Sequence, residues 1–346
     1  MGDNSLIHFK GRGRRCKDGD LSARKPVGRR LDNSWSTQKN CNLQLGLRVG
    51  KTNFLTTRIQ LLQLIRMTVK NLSHVSFDEL LDCFLIAFDN YYVEMPTDRN
   101  YYKKRWKTAK VDFNLSYGMF NEGKLVGFII HGVDKRFGKL TAFNTGTGVI
   151  PSYRGKRIVK SIYGFALKDL QQNGIEKSTL EVIRENEAAV RSYKSVGFEI
   201  RKKFECYAGD IEVEDGAPFE LKETALSDII WEDLPNQQFY SWDFQKETVL
   251  EGDYTFFYVL KDKVPESFFI INPQNKRLAQ FDLLNTKNKG WKRLFSAIKL
   301  ISNTISIINV DDRFKDKIEQ LRIVGLKNTV NQYELELDVK DGNWAE

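Results

Sequence analysis

Histidine is scarce in this chain. His8, His74 and His131 are the only three, and none has a second histidine or a cysteine three or four residues on. Hydrolytic triads and zinc chemistry are therefore poorly supplied. The four cysteines, Cys16, Cys41, Cys83 and Cys206, form no C-x-x-C pair, which argues against both a metal knuckle and a disulfide framework and points to reduced thiols. Long apolar runs are missing too: nowhere do about 18 uninterrupted apolar residues occur, the length a helix needs to cross a bilayer. Residues 1–15 are polar and basic, unlike a secretory signal. These absences predict a soluble, cytoplasmic protein with neither a resident metal nor a membrane partner.

Excess charge is also absent from most of the chain. The net charge of +9 comes from 54 Lys and Arg against 45 Asp and Glu, but residues 1–66 hold 14 of the basic and 4 of the acidic residues. The remainder, 40 against 41, is nearly neutral, so nucleic acid is not an expected partner of the folded part. At 346 residues the chain suits two hydrophobic cores.

Residues 1–66 are rich in Gly, Arg, Asn and Ser and lack a sustained hydrophobic period, which predicts a basic, disordered extension. Three readings stay open: a nucleic-acid-binding arm, an inert tail, or a stretch outside the native protein with Met67 as its start. Gly46–Thr52 (GLRVGKT) has one residue too few between its glycines for a phosphate loop.

From Met67 the pattern becomes regular. A strand is predicted at 67–71. A helix then opens on the capping box Ser76-Phe77-Asp78-Glu79, and a second helix covers about 97–108. Three strands at about 115–120, 125–133 and 139–149 read as an antiparallel meander. A helix at 156–172, a strand at 177–183, a helix at 187–196 and a strand at 198–207 follow. The expected class is α/β (α+β), with a mixed, mostly antiparallel sheet flanked by helices.

Gly148–Leu167 (GVIPSYRGKRIVKSIYGFAL) is the informative stretch. A strand ends at a proline, and a basic turn opens an apolar-periodic helix. Free N–H groups and the positive end of the helix dipole favour an anion there; Arg154, Lys156 and Arg157 add charge, and Gly155 permits close backbone approach. The order V-x-P-x-x-R-G-K-x-I resembles the acetyl-CoA pyrophosphate loop of the Gcn5-related N-acetyltransferase (GNAT) superfamily. Residues 178–198 (STLEVIRENEAAVRSYKSVGF) resemble its second motif, L-E-V-x-x-x-N-x-x-A-x-x-x-Y-x-x-x-G-F.

The resemblance implies acetyl-CoA as cosubstrate, no metal, and transfer of an acetyl group to a primary amine of a small molecule or peptide. It implies a phosphate cradle over Arg154, Gly155, Lys156, Arg157, Ile158 and Val159, although Arg157 and Val159 stand where the family has small residues. It further implies backbone contacts to the pantetheine arm from Val149 and Ile150, a contact to the same arm from Asn186 (which also suits a helix N-cap), Tyr193 as general acid, and Glu181 as a carboxylate base or a structural residue. With the loop altered at two positions, a non-catalytic acyl-CoA-binding or regulatory module is the alternative. The acceptor segment implied by the resemblance, FDNYYVEMPTDRNYYKKRW, combines Tyr91, Tyr92, Tyr101, Tyr102 and Trp106 with Glu94 and Asp98, which suits either a cationic amine or ordinary packing.

A shift of 128 residues lays Thr304–Leu337 over the second motif: Gly325 falls on Gly197, while Leu321, Phe314 and Asn309 fall on Tyr193, Asn186 and Glu181. Strands at about 254–261, 266–272 and 277–284 and a helix at about 290–301 repeat the earlier element order. The chain is thus expected to hold a GNAT domain at 67–208 and a degenerate GNAT-like domain at 209–346 that does not bind coenzyme A, with an unrelated α+β domain over 209–346 as the alternative. Oligomeric state is not legible.

Overall fold

The computed structural model describes residues 67–214, 218–285 and 290–342; the expectations for residues 1–66 lie outside it. Ser76 accepts a bond from the Glu79 N–H at 3.1 Å and starts α1 (Phe77–Ala87), as the capping box predicts. Asp98 caps α2 (Arg99–Thr108), two residues later than expected, because its carboxylate accepts from the Asn100 N–H. Strands β1 (Met67–Asn71), β2 (Tyr117–Asn121), β3 (Lys124–Arg136) and β4 (Lys139–Val149) form the antiparallel meander. Phe137 and Gly138, both at positive φ, make a two-residue hairpin turn that lets β3 run three residues beyond its predicted end.

Helix α3 (Ile158–Gln172) crosses to β5 (Lys177–Ile183), which is parallel to β4; α4 (Glu187–Val196) and β6 (Glu199–Asp210) follow. The second half repeats the plan with β7 (Glu220–Thr224), β8 (Thr255–Lys261), β9 (Val264–Asn272), β10 (Arg277–Leu283), α5 (Trp291–Ile301), β11 (Thr304–Asp311), α6 (Lys315–Ile323), β12 (Lys327–Asn328) and β13 (Gln332–Asp338). Between β7 and β8 run four 3-10 turns and a one-turn α-helix, Lys246–Val249.

The strand order is β1-β2-β3-β4-β5-β13-β6-β11-β10-β9-β8-β7, with β12 paired to β6. One sheet thus runs through both halves, which exchange strands: β13 lies between β5 and β6, and β6 pairs with β11. Registers obey the 128-residue offset. Gln332 faces Ile183 just as Phe204 faces Asp311, and Gln332 faces Phe204, its own counterpart. A local twofold relation between the repeats passes through that last pair.

Alternation along the strands feeds a core on each face of the sheet in each half. In the first half, α3 and α4, the latter carrying Tyr193, cover the face of Leu180 and Val182, and α1 and α2 cover the face of Leu125, Phe128 and Ile130. Leu335, Leu337 and Val339, from the end of the second half, are buried in the first of these cores.

Candidate active site

Strands β4 and β5 pair only from Thr141–Lys177 to Asn144–Leu180. Beyond that point Glu181–Ile183 pairs with β13, while Thr145–Val149 keeps only its β3 partner. The divergence opens a wedge at the C-terminal ends of two parallel strands, where α/β folds place ligands. The wall is close-packed: a Cβ at Gly148 would lie 2.7 Å from the Ala87 Cβ of α1, so only glycine fits.

The loop implicated by sequence lies at the mouth of this wedge. Val149 ends β4, and the Ile150 N–H bonds the Val126 carbonyl at 3.1 Å. Pro151–Tyr153 make a single 3-10 turn, and Gly155, at φ +76°, has open space on its Cβ side. Arg157 is left-handed (φ 57°, ψ 25°), which starts α3 at Ile158, two residues later than expected. Arg occupies a conformation that glycine adopts without strain. No side chain caps this helix and no acid stands in its first turn, so its leading N–H donors face outward unneutralised. Ile158 is buried and Val159 half-buried, both packed on the α3–α4 core, so each offers backbone to the loop.

Arg154 is engaged with backbone. Its guanidinium donates to the Val149 carbonyl at 3.1 Å and to the Ala87 carbonyl at 2.8 Å, which ties the loop to the C-terminus of α1. Lys156 lies over the Tyr153 ring, with Nζ 4.6 Å from the centroid. The exposed cations nearest the uncapped helix start in sequence are thus Lys156 and Arg157.

Tyr193 is 7% exposed and packs edge-on against Tyr163 and Phe198. Burial pushes its phenol up to about 12; hydrogen bonding with Thr147 and Asn144 works against that rise, and nearby Tyr91 adds to it. Asn144 is buried and donates to Thr147 Oγ1 at 2.7 Å and to Tyr163 Oη at 2.8 Å, so the phenol ends a polar network reaching the diverging part of β4. Asn186 caps α4 by accepting from the Ala189 N–H at 3.2 Å, and its amide nitrogen faces Tyr91 Oη at 3.5 Å.

Glu181 lies on the opposite face. Leu180 and Val182 share a core with Tyr193, so Glu181, between them, points away. The structure therefore does not bring the two residues together on one face. Glu181 Oε2 accepts from Asn309 Nδ2 at 2.6 Å, and Oε1 is buried without a partner. Burial, with Asp243 and Glu334 nearby, raises its carboxyl to about 8 against the opposing pull of Asn309 and Arg105. Arg105 and Asp243 form an ion pair at 2.8 Å. Sequence reading aligned Asn309 with Glu181 but did not foresee their contact; Asp243 and Arg105 carried no signal.

The aromatic segment divides. Tyr102 and Trp106 belong to the α1–α2 core and Asp98 is a helix cap. Only Tyr91 and Tyr92 reach the end of β5, Tyr92 by donating to the Glu185 carbonyl at 3.1 Å.

The second half has a corresponding opening, since β10 and β11 share a single parallel pair, Arg277–Ser306. It is filled. Lys317, which the offset places on Ala189, enters it and donates to the Phe281 carbonyl and to Asp282 Oδ2, both at 2.8 Å. The rings of Tyr240, Phe281 and Phe314 surround its ammonium, leaving a cavity of about 20 Å³. Among the described residues no group of His, Cys, Asp or Glu is arranged to hold a metal ion, and no helix is long and apolar enough to cross a membrane.

Residues 77–198 match the model of the Acetyltransferase (GNAT) family. This part of the chain is therefore a GNAT domain. The fold is similar to that of a tandem GNAT protein from the clavulanic acid biosynthesis pathway (10% identity, 80% of this chain and 100% of that one, TM-score 0.56). It is also similar to a GCN5-related N-acetyltransferase from Sphaerobacter thermophilus (8%, 80% and 97%, 0.55) and to one from Anabaena variabilis (14%, 79% and 73%, 0.51). Coverage of four-fifths of the chain exceeds what residues 67–208 supply, so the similarity of fold extends into the second half. No curated protein sequence matches the chain.

Proposed function

We propose that the protein is an N-acetyltransferase that moves the acetyl group of acetyl-CoA to a primary amine of a small molecule or peptide. One observation carries this reading: an uncapped helix start opens at the mouth of the β4–β5 wedge, and the buried Tyr193 phenol joins the polar network of the same diverging strand. The N–H groups from Gly155 to Val159, with Lys156 and Arg157, suit a pyrophosphate. The edge of β4 that has parted from β5, up to Val149 and Ile150, with Asn186 across the wedge, suits an amide-bearing arm.

In the reaction an amine nitrogen forms a bond to the thioester carbon, the carbon–sulfur bond breaks, and the sulfur leaves as thiolate. Tyr193, a phenol that already holds its proton at neutral pH and holds it more firmly in its buried site, gives that proton to the sulfur as negative charge develops there. The amine, of pKa near 10, must lose a proton to attack. Glu181, the first residue past the last β4–β5 pair though on the sheet face away from Tyr193, is the residue proposed to receive it: with its carboxyl raised to about 8, the ionised fraction is a stronger base than an ordinary carboxylate.

The second half is proposed to take no coenzyme, since Lys317 fills its opening, and to close the acceptor side of the first half. A cytoplasmic setting fits Cys83 and Cys206, both buried free thiols. A binding module without catalysis is the second reading, favoured by left-handed Arg157 and by Arg154 being engaged with backbone.

Thermal unfolding with acetyl-CoA separates these readings from no binding at all. A ligand at 100 times its Kd adds about 2.7 kcal/mol to the state that binds it. The expected result is an upward shift that Lys156→Ala with Arg157→Glu abolishes. Tyr193→Phe should keep the shift and lower turnover about 100-fold or more. A shift with wild-type turnover in Tyr193→Phe removes the phenol from the mechanism; no shift at millimolar acetyl-CoA removes the reading.

A further inference from the structure

We infer that Asn309, a residue of the second repeat, is a positioning residue for Glu181 of the first: its amide holds one carboxylate oxygen and leaves the other free to take a proton. The inference rests on the reading that Glu181 receives the proton of the acceptor amine. It makes the second half a contributor to the reaction centre as well as a cover for it.

The orientation of the amide is fixed from behind. Asn309 Oδ1 accepts from Gln332 Nε2 at 2.9 Å and faces the Cys206 thiol at 3.7 Å, so its N–H donors turn toward Glu181. The Asn309 backbone N–H bonds Cys206 Sγ at 3.4 Å. Its backbone is left-handed, φ 62°, at the irregularity where the β11–β6 register shifts between Ile307 and Val310. Among non-glycine residues asparagine is one of the few that adopt this conformation readily, and it brings the amide with it.

The repeat explains why an amide stands there. The 128-residue offset that lays Asn309 on Glu181 also lays Glu334 on Cys206. Glu334 sits directly opposite Glu181 in the β5–β13 register. Each acid of one repeat thus has a neutral counterpart in the other, and the local twofold relation gathers two carboxylates where strict repetition would gather four. Each of the two still has a partner that favours its charge: Lys202 for Glu334, at 3.0 Å, and Asn309 for Glu181. The remaining charged groups about Glu181 are Asp243 and Arg105, themselves paired.

An amide that donates to a carboxylate favours its charged form, so removing the donor must raise the carboxyl further. The full chain labelled with [13Cδ]glutamate reports this directly, the Glu181 signal being assigned by its loss in Glu181→Gln. Asn309→Gly keeps the left-handed backbone and deletes the amide; it should move the Glu181 midpoint up by about one unit or more, since a hydrogen bond to a charged group contributes about 1.5–3 kcal/mol. Gln332→Ala, which frees the amide to turn, should move it less and in the same direction. An unchanged midpoint in folded Asn309→Gly overturns the inference. Failure of the underlying reading looks different: Glu181→Gln then turns over at the wild-type rate, whatever the titration shows.

Discussion

The two openings in the sheet, between β4 and β5 and between β10 and β11, come from the same plan and end in opposite states. Position 189 of the first half is alanine, half-buried and leaving the wedge open; its counterpart, Lys317, crosses the second opening and ends on a backbone carbonyl and a buried carboxylate. Tyr193 and Asn186 have Leu321 and Phe314 as counterparts. Diverging parallel strands leave polar backbone groups unmatched, and such groups must find a partner. A ligand can supply it in the first half. In the second, the protein supplies it from its own helix.

The contrast is broken most severely at Lys317. Its side chain and that of Asp282 are each 6% exposed, so Lys317→Ala leaves a buried carboxylate unpaired and should destabilise the chain by about 3–5 kcal/mol in urea unfolding. Replacing both, Lys317→Met with Asp282→Leu, should restore much of the loss. If the single change costs under about 1 kcal/mol, Lys317 is a surface residue in effect and the second opening is not held shut by it.

The seam offers an effect no larger, with a sign set by burial. Because the Glu181 carboxyl is raised to about 8, the native state keeps a proton that the unfolded chain loses near 4.5. Stability tied to this group is full below 4.5 and falls as pH climbs to 8. Glu181→Gln cannot lose that proton, so its stability relative to wild type should rise across this window, by up to about 5 kcal/mol. His131, which burial depresses to about 4, weakens the fold in the opposite direction below pH 6.5 and cancels in the comparison. A gap that stays constant from pH 5 to 8 contradicts the raised carboxyl.

The smallest effect is at Arg157. Arg157→Gly relieves the left-handed backbone of the loop and should leave thermal stability within about 1 kcal/mol of wild type. Tighter acetyl-CoA binding in this variant would show that loop geometry limits the first half; weaker binding would show that the guanidinium matters more.

Much of this was legible in the sequence, because most of it is local. Capping by Ser76, the apolar steps Ile158, Ile162, Ala166 and Leu170, and the 128-residue offset each depend on residues close together or on simple repetition. The helix that the loop opens and the helix that carries Tyr193 were legible through their apolar periods and motifs. What escaped reading is what depends on distant partners. The alternation in Gln332–Asp338 is the same whether β13 pairs within its own half or inserts between β5 and β6. Nothing in the sequence pairs Arg154 with the last carbonyl of α1, or Lys317 with Asp282, each partner lying far along the chain.

The strand exchange also sets an order of events during synthesis. Leu335, Leu337 and Val339 complete the core that holds Tyr193, yet they follow it by more than a hundred residues. A ribosome that has finished the first repeat has made every proposed ligand of acetyl-CoA but not the strand that closes the sheet beneath them. Until β13 emerges, β5 and β6 present open edges, the feature of nascent chains most prone to wrong pairing. The first repeat therefore matures only after the second has been translated, and a chain cut short before residue 332 should be a substrate for chaperones instead of a smaller enzyme.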